Sequence, residues 1–164
     1  MPLNVDKSEL LWENENCSIR RELLTDVCDE CADLIKEHWE EIANYKDTIP
    51  LAPVWSRLHE YEKNNCLYVL TLREAEKLIG YSVFILNLHL HYESLLVGCN
   101  DVLFVTKNRR NSRYGIQLIL ESEKYLKSKG VNKITWHMKP HRSFAPILER
   151  LGYKHEELTY GRLL

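Results

Sequence analysis

The stretch Val105-Thr-Lys-Asn-Arg-Arg-Asn-Ser-Arg-Tyr-Gly-Ile-Gln-Leu-Ile119 constrains what this chain can fold into more than any other. An apolar, β-rich run over residues 101–106 enters a turn in which Lys107, Arg109, Arg110 and Arg113 place four cations within seven residues. The turn leads straight into a helical pattern over residues 114–129. Amides at a helix start have no internal partners and carry the positive end of the dipole, so a turn placed there is shaped to hold a phosphate or pyrophosphate. No acidic residue falls between Asp101 and Glu121. An exposed charged turn with no ligand has the same composition. Gly115 favours the ligand, because glycine inside the first helical turn costs about 1 kcal/mol relative to alanine, and a close backbone approach accounts for that cost.

The rest of the chain supplies the frame for this turn. Val27, Cys31, Leu34, Ile35, Trp39 and Ile42 recur at helical spacing over residues 25–45, with Thr25 as the expected cap. Pro50 and Pro53 break that helix, and residues 54–63, with Trp55, Leu58 and Tyr61, read as a second. Residues 66–72 and 78–86 predict an antiparallel hairpin whose second strand is apolar on both faces and therefore central. Residues 86–93 then alternate Leu86, Leu88, Leu90 and Tyr92 with Asn87, His89, His91 and Glu93, which predicts a strand with four polar groups on one face. After the helix at 114–129, closed by Gly130, come a strand over 133–138, a short helix over 143–151 and one or two closing strands over 153–164. The order is that of a single α/β domain spanning residues 1–164.

At 164 residues and 45% hydrophobic, the chain suffices for one core. Its 22 Lys and Arg against 24 Asp and Glu leave a net charge of −2, so no global field advertises a nucleic acid or a membrane. Nucleic-acid binding through residues 107–113 is further weakened by the lack of interleaved aromatics before Tyr114. No apolar run approaches the roughly 18 residues of a membrane span, and Asp6 and Glu9 lie where a signal peptide needs apolar residues, so a cytoplasmic location is expected. The odd count of five cysteines fits reduced thiols. Cys28-x-x-Cys31 allows half a zinc site or a redox pair, but both residues fall on the helical pattern, where packing accounts for them.

The spacing Arg110-x-x-Arg113-x-Gly115 resembles the acetyl-CoA signature of the GNAT N-acetyltransferase superfamily, with Arg113 where the family usually has its middle glycine. Ser143-Phe-Ala-Pro-Ile-Leu-Glu-Arg-Leu-Gly-Tyr153 is similar to the family's C-terminal motif. His38-Trp39, Leu88-His-Leu-His-Tyr92, Lys129-Gly-Val131 and the closing Leu-Gly-Tyr resemble members encoded by bacteriophages and prophages, which implies a host cytoplasm. The resemblance implies an α/β (α+β) fold: a mixed, twisted, mostly antiparallel sheet of about six to seven strands flanked by about four helices, splayed between its fourth and fifth strands. It implies acetyl-CoA as co-substrate without a metal, Leu103, Phe104 and Val105 pairing with the pantetheine arm, and the amides of Arg110, Asn111, Ser112, Arg113, Tyr114, Gly115 and Ile116 holding the pyrophosphate. Lys107 and Arg109 would add charge, and His141 and Ser143 polar contacts. The acceptor would be the primary amine of a small molecule or protein, and a homodimer through the final strand is the family-like assembly. A non-catalytic acyl-CoA-binding or host-protein-binding module on the same fold is the alternative.

Acetyl transfer needs a neutral amine and a proton donor for the departing thiolate. Leu148 stands where the family often has a donor tyrosine. Tyr153 and Tyr160 are the nearby substitutes, each equally readable as a packed aromatic. For the base, the alternating run offers His89, His91 and Glu93, next-neighbours about 6.5–7 Å apart on a strand. The same face reads as a solvated strand surface, or as a His-x-His metal pair lacking a third ligand. Trp39 and Trp55 flank a Pro-containing loop able to border a substrate groove. Asp26, Asp29, Glu30, Asp33, Glu37, Glu40 and Glu41 make the first helix acidic, which either attracts a cationic amine or basic protein or is simply solvated.

Overall fold

The structure, a computed structural model, describes residues 8–110 and 112–164. Its centre is a six-stranded sheet in simple sequential order: β1 (Glu9–Glu13), β2 (Cys17–Glu22), β3 (Leu67–Glu74), β4 (Lys77–His89), β5 (Tyr92–Val105) and β6 (Lys133–Thr135). Every pair is antiparallel except β5 and β6, which run parallel and are joined by the crossover helix α3 (Tyr114–Ser128). Helices α1 (Leu24–Ile42) and α2 (Trp55–Lys63) cover one face. α4 (Ala145–Arg150) follows β6.

The strand period of two sorts the core into layers. On β3, Leu67 and Val69 pack with Leu24, Val27 and Cys31 of α1, while Leu70 and Leu72 pack with Leu118 and Tyr125 of α3. The central position expected for the second strand of the hairpin holds: β4 pairs with β3 on one side and β5 on the other, and Ile79, Tyr81, Ser82 and Phe84 are all buried. α3 ends as its pattern predicts, with Gly130 at φ +83°, a left-handed conformation that favours glycine. Among the described residues no helix is long and apolar enough to cross a membrane.

Four expectations need correction. β1 and β2 lie in a stretch with no predicted element, because β2 hides charge: Arg73 holds the buried Glu22 at 2.8 Å, and Arg20 reaches Glu76 at 3.0 Å. Thr25 does not cap α1. The N-cap is Leu23, and the buried Glu62 of α2 accepts the Leu24 amide at 2.5 Å and the Thr25 amide and hydroxyl at 3.2 and 3.1 Å, placing a carboxylate at the positive helix end. The alternating run over residues 86–93 is two strands, since the chain reverses at Leu90 and His91 and His89 pairs with Tyr92. No Gly, Asn or Pro marks that turn, so the alternation passes through it unbroken. Last, residues 153–164 form no strand. Lys133 ties Glu156 at 2.6 Å without any ladder, and β6 is the final strand among the described residues.

Candidate active site

The splay expected between the fourth and fifth strands falls one pair later, because two unpredicted strands precede the hairpin: β5 is paired with β4 along nearly its whole length, but β6 covers its other edge only at Val97, Gly98 and Cys99. Beyond that point β6 ends, and Trp136 turns away to pack edge-on against Phe84 (5.1 Å), Phe144 and Tyr153 (both 6.3 Å). The outer edge of residues 100–105 therefore has no strand partner among the described residues. Where the strands part, the β4–β5 register slips between Asn100 and Val102, so Asp101 is the extra residue of a bulge. The buried Asn100 fixes it, donating to the carbonyls of Val83 (3.2 Å) and Val102 (2.9 Å).

Asp101 is thereby displaced from the ladder into a cavity of about 370 Å³ between the sheet and helices α1 and α2. Ile35, His38, Trp39 and Ile42 of α1, Leu51 and Pro53 of the connecting loop, Trp55 and Tyr61 of α2, and Tyr81 and Val83 of β4 line it. Asp101 stays exposed at the edge of this cavity, and partial desolvation there raises its carboxyl pKa from the ordinary aspartate value, with His137 opposing the shift. His38 forms part of the floor, 3.3 Å from the Tyr81 hydroxyl and stacked on Phe104 at 4.8 Å. Burial drives its pKa down to about 4, Glu41 and Arg110 acting in opposite senses, so its imidazole is neutral at physiological pH.

The cationic turn forms where the sequence places it, yet two of its cations are already engaged. Arg109 is held by Glu74 through bonds of 2.8 and 2.7 Å, and Arg110 by Glu41 through bonds of 2.8 and 2.9 Å. Each carboxyl is correspondingly lowered by its arginine. Arg110 also lies over the Phe104 ring at 5.2 Å and donates to the Val105 carbonyl at 2.8 Å. Lys107 and Arg113 have no ion pair among the described residues. Ser112 donates to the Arg109 carbonyl at 2.5 Å, and its hydroxyl accepts the Tyr114 amide at 3.4 Å, which shapes the approach to α3. Asn111 lies outside the described residues. At Gly115 an added Cβ meets only the Val105 side chain, at an ordinary 3.9 Å, so packing within the chain does not demand glycine there.

Leu103, Phe104 and Val105 stand on the open part of β5, and Tyr114, Gly115 and Ile116 in the first turn of α3. His141 sits in a one-turn segment, Pro140–Arg142, after β6, and the Ser143 hydroxyl accepts the Ala145 amide at 3.2 Å to start α4. Arg142 of that turn adds a smaller lowering of the Glu41 pKa to the larger one from Arg110.

None of the five residues offered by sequence for acid–base work lines this cavity, and Tyr160 is exposed near the C-terminus. His89, His91 and Glu93 cluster at the tip of the β4–β5 hairpin, with the His91 amide donating to His89 Nδ1 at 3.2 Å. Glu93 precedes Asp101 by eight residues, about 26 Å of strand. The two imidazoles gain no third His, Cys, Asp or Glu partner among the described residues. Tyr153 borders a separate cavity of about 350 Å³ with residues of α3 and β6. Its hydroxyl donates to Glu123 at 3.0 Å, and burial raises it to about 12. Leu148 is buried, and Cys31 is a core residue whose thiol burial raises to about 12.

Sequence reasoning assigned no site role to Asp101, and it used His38 only as part of the resemblance to phage-encoded members. Two signals were available: the polar pair Asn100-Asp101 interrupts an otherwise apolar strand, and His38 continues the inner stripe of Cys31, Ile35 and Ile42.

An open mixed sheet, parted beside a strand that runs through a cationic turn into a helix N-terminus, defines an acetyltransferase-type architecture. Residues 28–153 match the acetyltransferase (GNAT) family profile, and the chain belongs to that family. Comparison with curated proteins gives no match. Among solved structures the fold is similar to an aminoglycoside acetyltransferase from an uncultured soil metagenomic sample (TM-score 0.71, 17% identity, 92% of this chain and 98% of that one). It is also similar to glucosamine-6-phosphate N-acetyltransferase from Arabidopsis thaliana (0.69, 13%, 91% and 99%). A third similar structure is a ribosomal-protein-alanine N-acetyltransferase from Brucella melitensis biovar Abortus 2308 (0.67, 15%, 90% and 99%).

Proposed function

We propose that this protein transfers an acetyl group from acetyl-CoA to a primary amine, with Asp101 as the base. The observation that carries the reading is the bulge at Asp101, which puts a destabilised carboxylate at the point where β5 loses its outer partner and the cavity opens. Bound acetyl-CoA supplies an activated thioester. The chain supplies an edge with no strand partner at Leu103, Phe104 and Val105 for amide pairing with the pantetheine arm, although Arg110 already occupies the Val105 carbonyl, the amides at the start of α3 for the pyrophosphate, of which Tyr114's is held by Ser112, and Lys107 and Arg113 for its charge. The room left at Gly115 supports this fit. An arriving ammonium passes its proton to Asp101, whose raised pKa makes it a stronger base, and the freed amine then attacks the thioester carbonyl: the C–N bond forms, the C–S bond breaks, and the departing thiolate takes the proton that the attacking nitrogen sheds. Activity accordingly rises with pH as Asp101 ionises. The enzyme would act in the cytoplasm, a host's if the chain is phage-encoded, with a homodimer as its expected assembly.

The alternative, a module that binds an acyl-CoA or a host protein without turnover, is favoured by Leu148 and by the neutralisation of Arg109 and Arg110. One pair of measurements separates them. Calorimetric titration of acetyl-CoA into wild type and Asp101→Asn should give dissociation constants within about threefold of each other, while amine-dependent thiol release falls about 10²- to 10⁴-fold in the variant. Absence of acetyl-CoA binding overturns the proposal. Binding without release for any amine leaves the module, and unchanged release in Asp101→Asn moves the base elsewhere.

A further inference from the structure

We infer that the acceptor is a small monoamine carried on a flat, apolar body, an arylalkylamine in chemical class, rather than a polycation, a sugar phosphate or a peptide terminus. The inference rests on the proposed acetyl transfer and concerns what the cavity beside Asp101 can hold. Its volume, about 370 Å³, lies at the lower end of the roughly 300–1,000 Å³ usual for small-molecule sites. Its walls are aromatic and aliphatic, lined by Trp39, Trp55 and Tyr61 together with Ile35, Leu51 and Val83. Asp101 is the only carboxylate among the lining residues, and it sits at the end next to the parted strands.

Charge arithmetic then selects the ligand. One ammonium placed at Asp101 is compensated, but each further ammonium would be desolvated against tryptophan and leucine without a partner. The lining guanidinium, Arg57, carries the wrong sign to help, and it donates to Tyr61 at 3.2 Å. A peptide would bring backbone amides into walls that offer few acceptors. The acidic surface of α1 does not alter this. Asp29, Asp33, Glu37 and Glu40 are exposed on its outer side, while Glu30 and Glu41 are engaged by Arg73 and Arg110. The carboxylates that make the helix look attractive to cations are therefore not in the cavity, and the face turned inward is Cys31, Ile35, His38, Trp39 and Ile42.

The test pairs turnover with a readout that needs none. Thiol release would be followed for 2-phenylethylamine, tryptamine, spermidine, kanamycin, glucosamine 6-phosphate and a hexapeptide. Each amine would also be titrated into CoA-saturated protein by tryptophan fluorescence, which Trp39 and Trp55 report. The aryl monoamines should exceed the others in kcat/KM by about 100-fold or more, the discrimination expected where uncompensated polar groups enter an apolar site. They should also quench saturably. Leu51→Glu, a loop substitution that adds a second carboxylate to the wall, should narrow the gap to spermidine at least tenfold. Preference for spermidine, kanamycin, glucosamine 6-phosphate or the peptide, or parity within threefold, overturns the inference. If acetyl-CoA fails to bind, the transfer reaction falls while titration in the absence of CoA still decides the inference: saturable quenching by phenylethylamine alone sustains it, and no quenching removes it.

Discussion

The two halves of β5 have similar apolar character and opposite treatment. At Val97, Gly98 and Cys99 the strand is paired on both sides, and Gly98 lies under Leu126 and Val131. At Val102, Leu103, Phe104 and Val105 the β4 side stays paired, while the other edge has no strand partner among the described residues. A composition-level description cannot tell these halves apart. What separates them is a bulge of one residue, held by the Asn100 amide, together with the early end of β6 as Trp136 leaves to join an aromatic cluster. Opening half a strand is therefore a matter of register and termination, and the same bulge that ends regular pairing delivers Asp101 to the cavity.

The largest expected effect is on pH stability, and it acts on the open half. Unfolded His38 titrates near 6.5, whereas in the fold burial holds it at about 4. Between these values the unfolded chain binds the extra proton and the native one does not, so stability falls as pH drops from about 6.5 to about 4 and is flat above. The full shift corresponds to about 3 kcal/mol. Because His38 stacks on Phe104, hydrogen exchange on acidification should loosen the Phe104 amide before that of Val97. Urea melts of His38→Gln should lose most of this dependence. An unchanged slope in the variant would place the titrating group elsewhere, and uniform loosening of both halves would erase the distinction between them.

Next in size is a contrast of two glycines. A Cβ at Gly80, which pairs with Val105 on the open half, would stand 2.7 Å from the Phe104 carbonyl oxygen, and backbone cannot retreat cheaply. A Cβ at Gly98 would meet Leu126 and Val131 methyl groups at 3.3 Å, which can yield by a few tenths of an ångström. Gly80→Ala should therefore cost about 2 kcal/mol in a denaturant melt and Gly98→Ala less than about 1. The reverse order would mean that the open half is the more plastic of the two.

Legibility in the sequence follows the same division between local pattern and long-range register. The cationic turn, α3 with its terminal Gly130, and the β3–β4 hairpin were readable because each is specified by residues close together in the chain. β1 and β2 were not, since Arg20 and Glu22 read as surface until Glu76 and Arg73 are brought beside them by the fold. The hairpin tip deceived for a related reason: the period of two continues across Leu90 and His91, and only the pairing of His89 with Tyr92 shows the reversal. As for the site, the cationic turn was legible and so was one wall of the cavity, since Trp39, Trp55 and the Pro-containing loop between them do line it, but its polar groups were not. His38 and Asp101 acquire their properties from each other's elements, α1, β4 and β5, and no window of sequence contains that environment.

The smallest expected effect concerns the engaged arginines. Glu41 and Arg110 form a bidentate pair at 2.8 and 2.9 Å, with side chains 18% and 34% exposed, a degree of solvation at which such pairs contribute about 0–1 kcal/mol. If the pyrophosphate of acetyl-CoA draws on Arg110, it must compete with Glu41, and it also feels that carboxylate as a nearby like charge. Glu41→Gln removes both terms while leaving the side chain's length and its amide to contact Arg110. Affinity for acetyl-CoA, read by calorimetry at fixed ionic strength, should tighten about threefold, and its salt dependence should steepen. A loss of affinity instead would show that Glu41 orients Arg110 for the phosphate rather than withholding it, and the cationic turn would then be a preset site held open by its carboxylates.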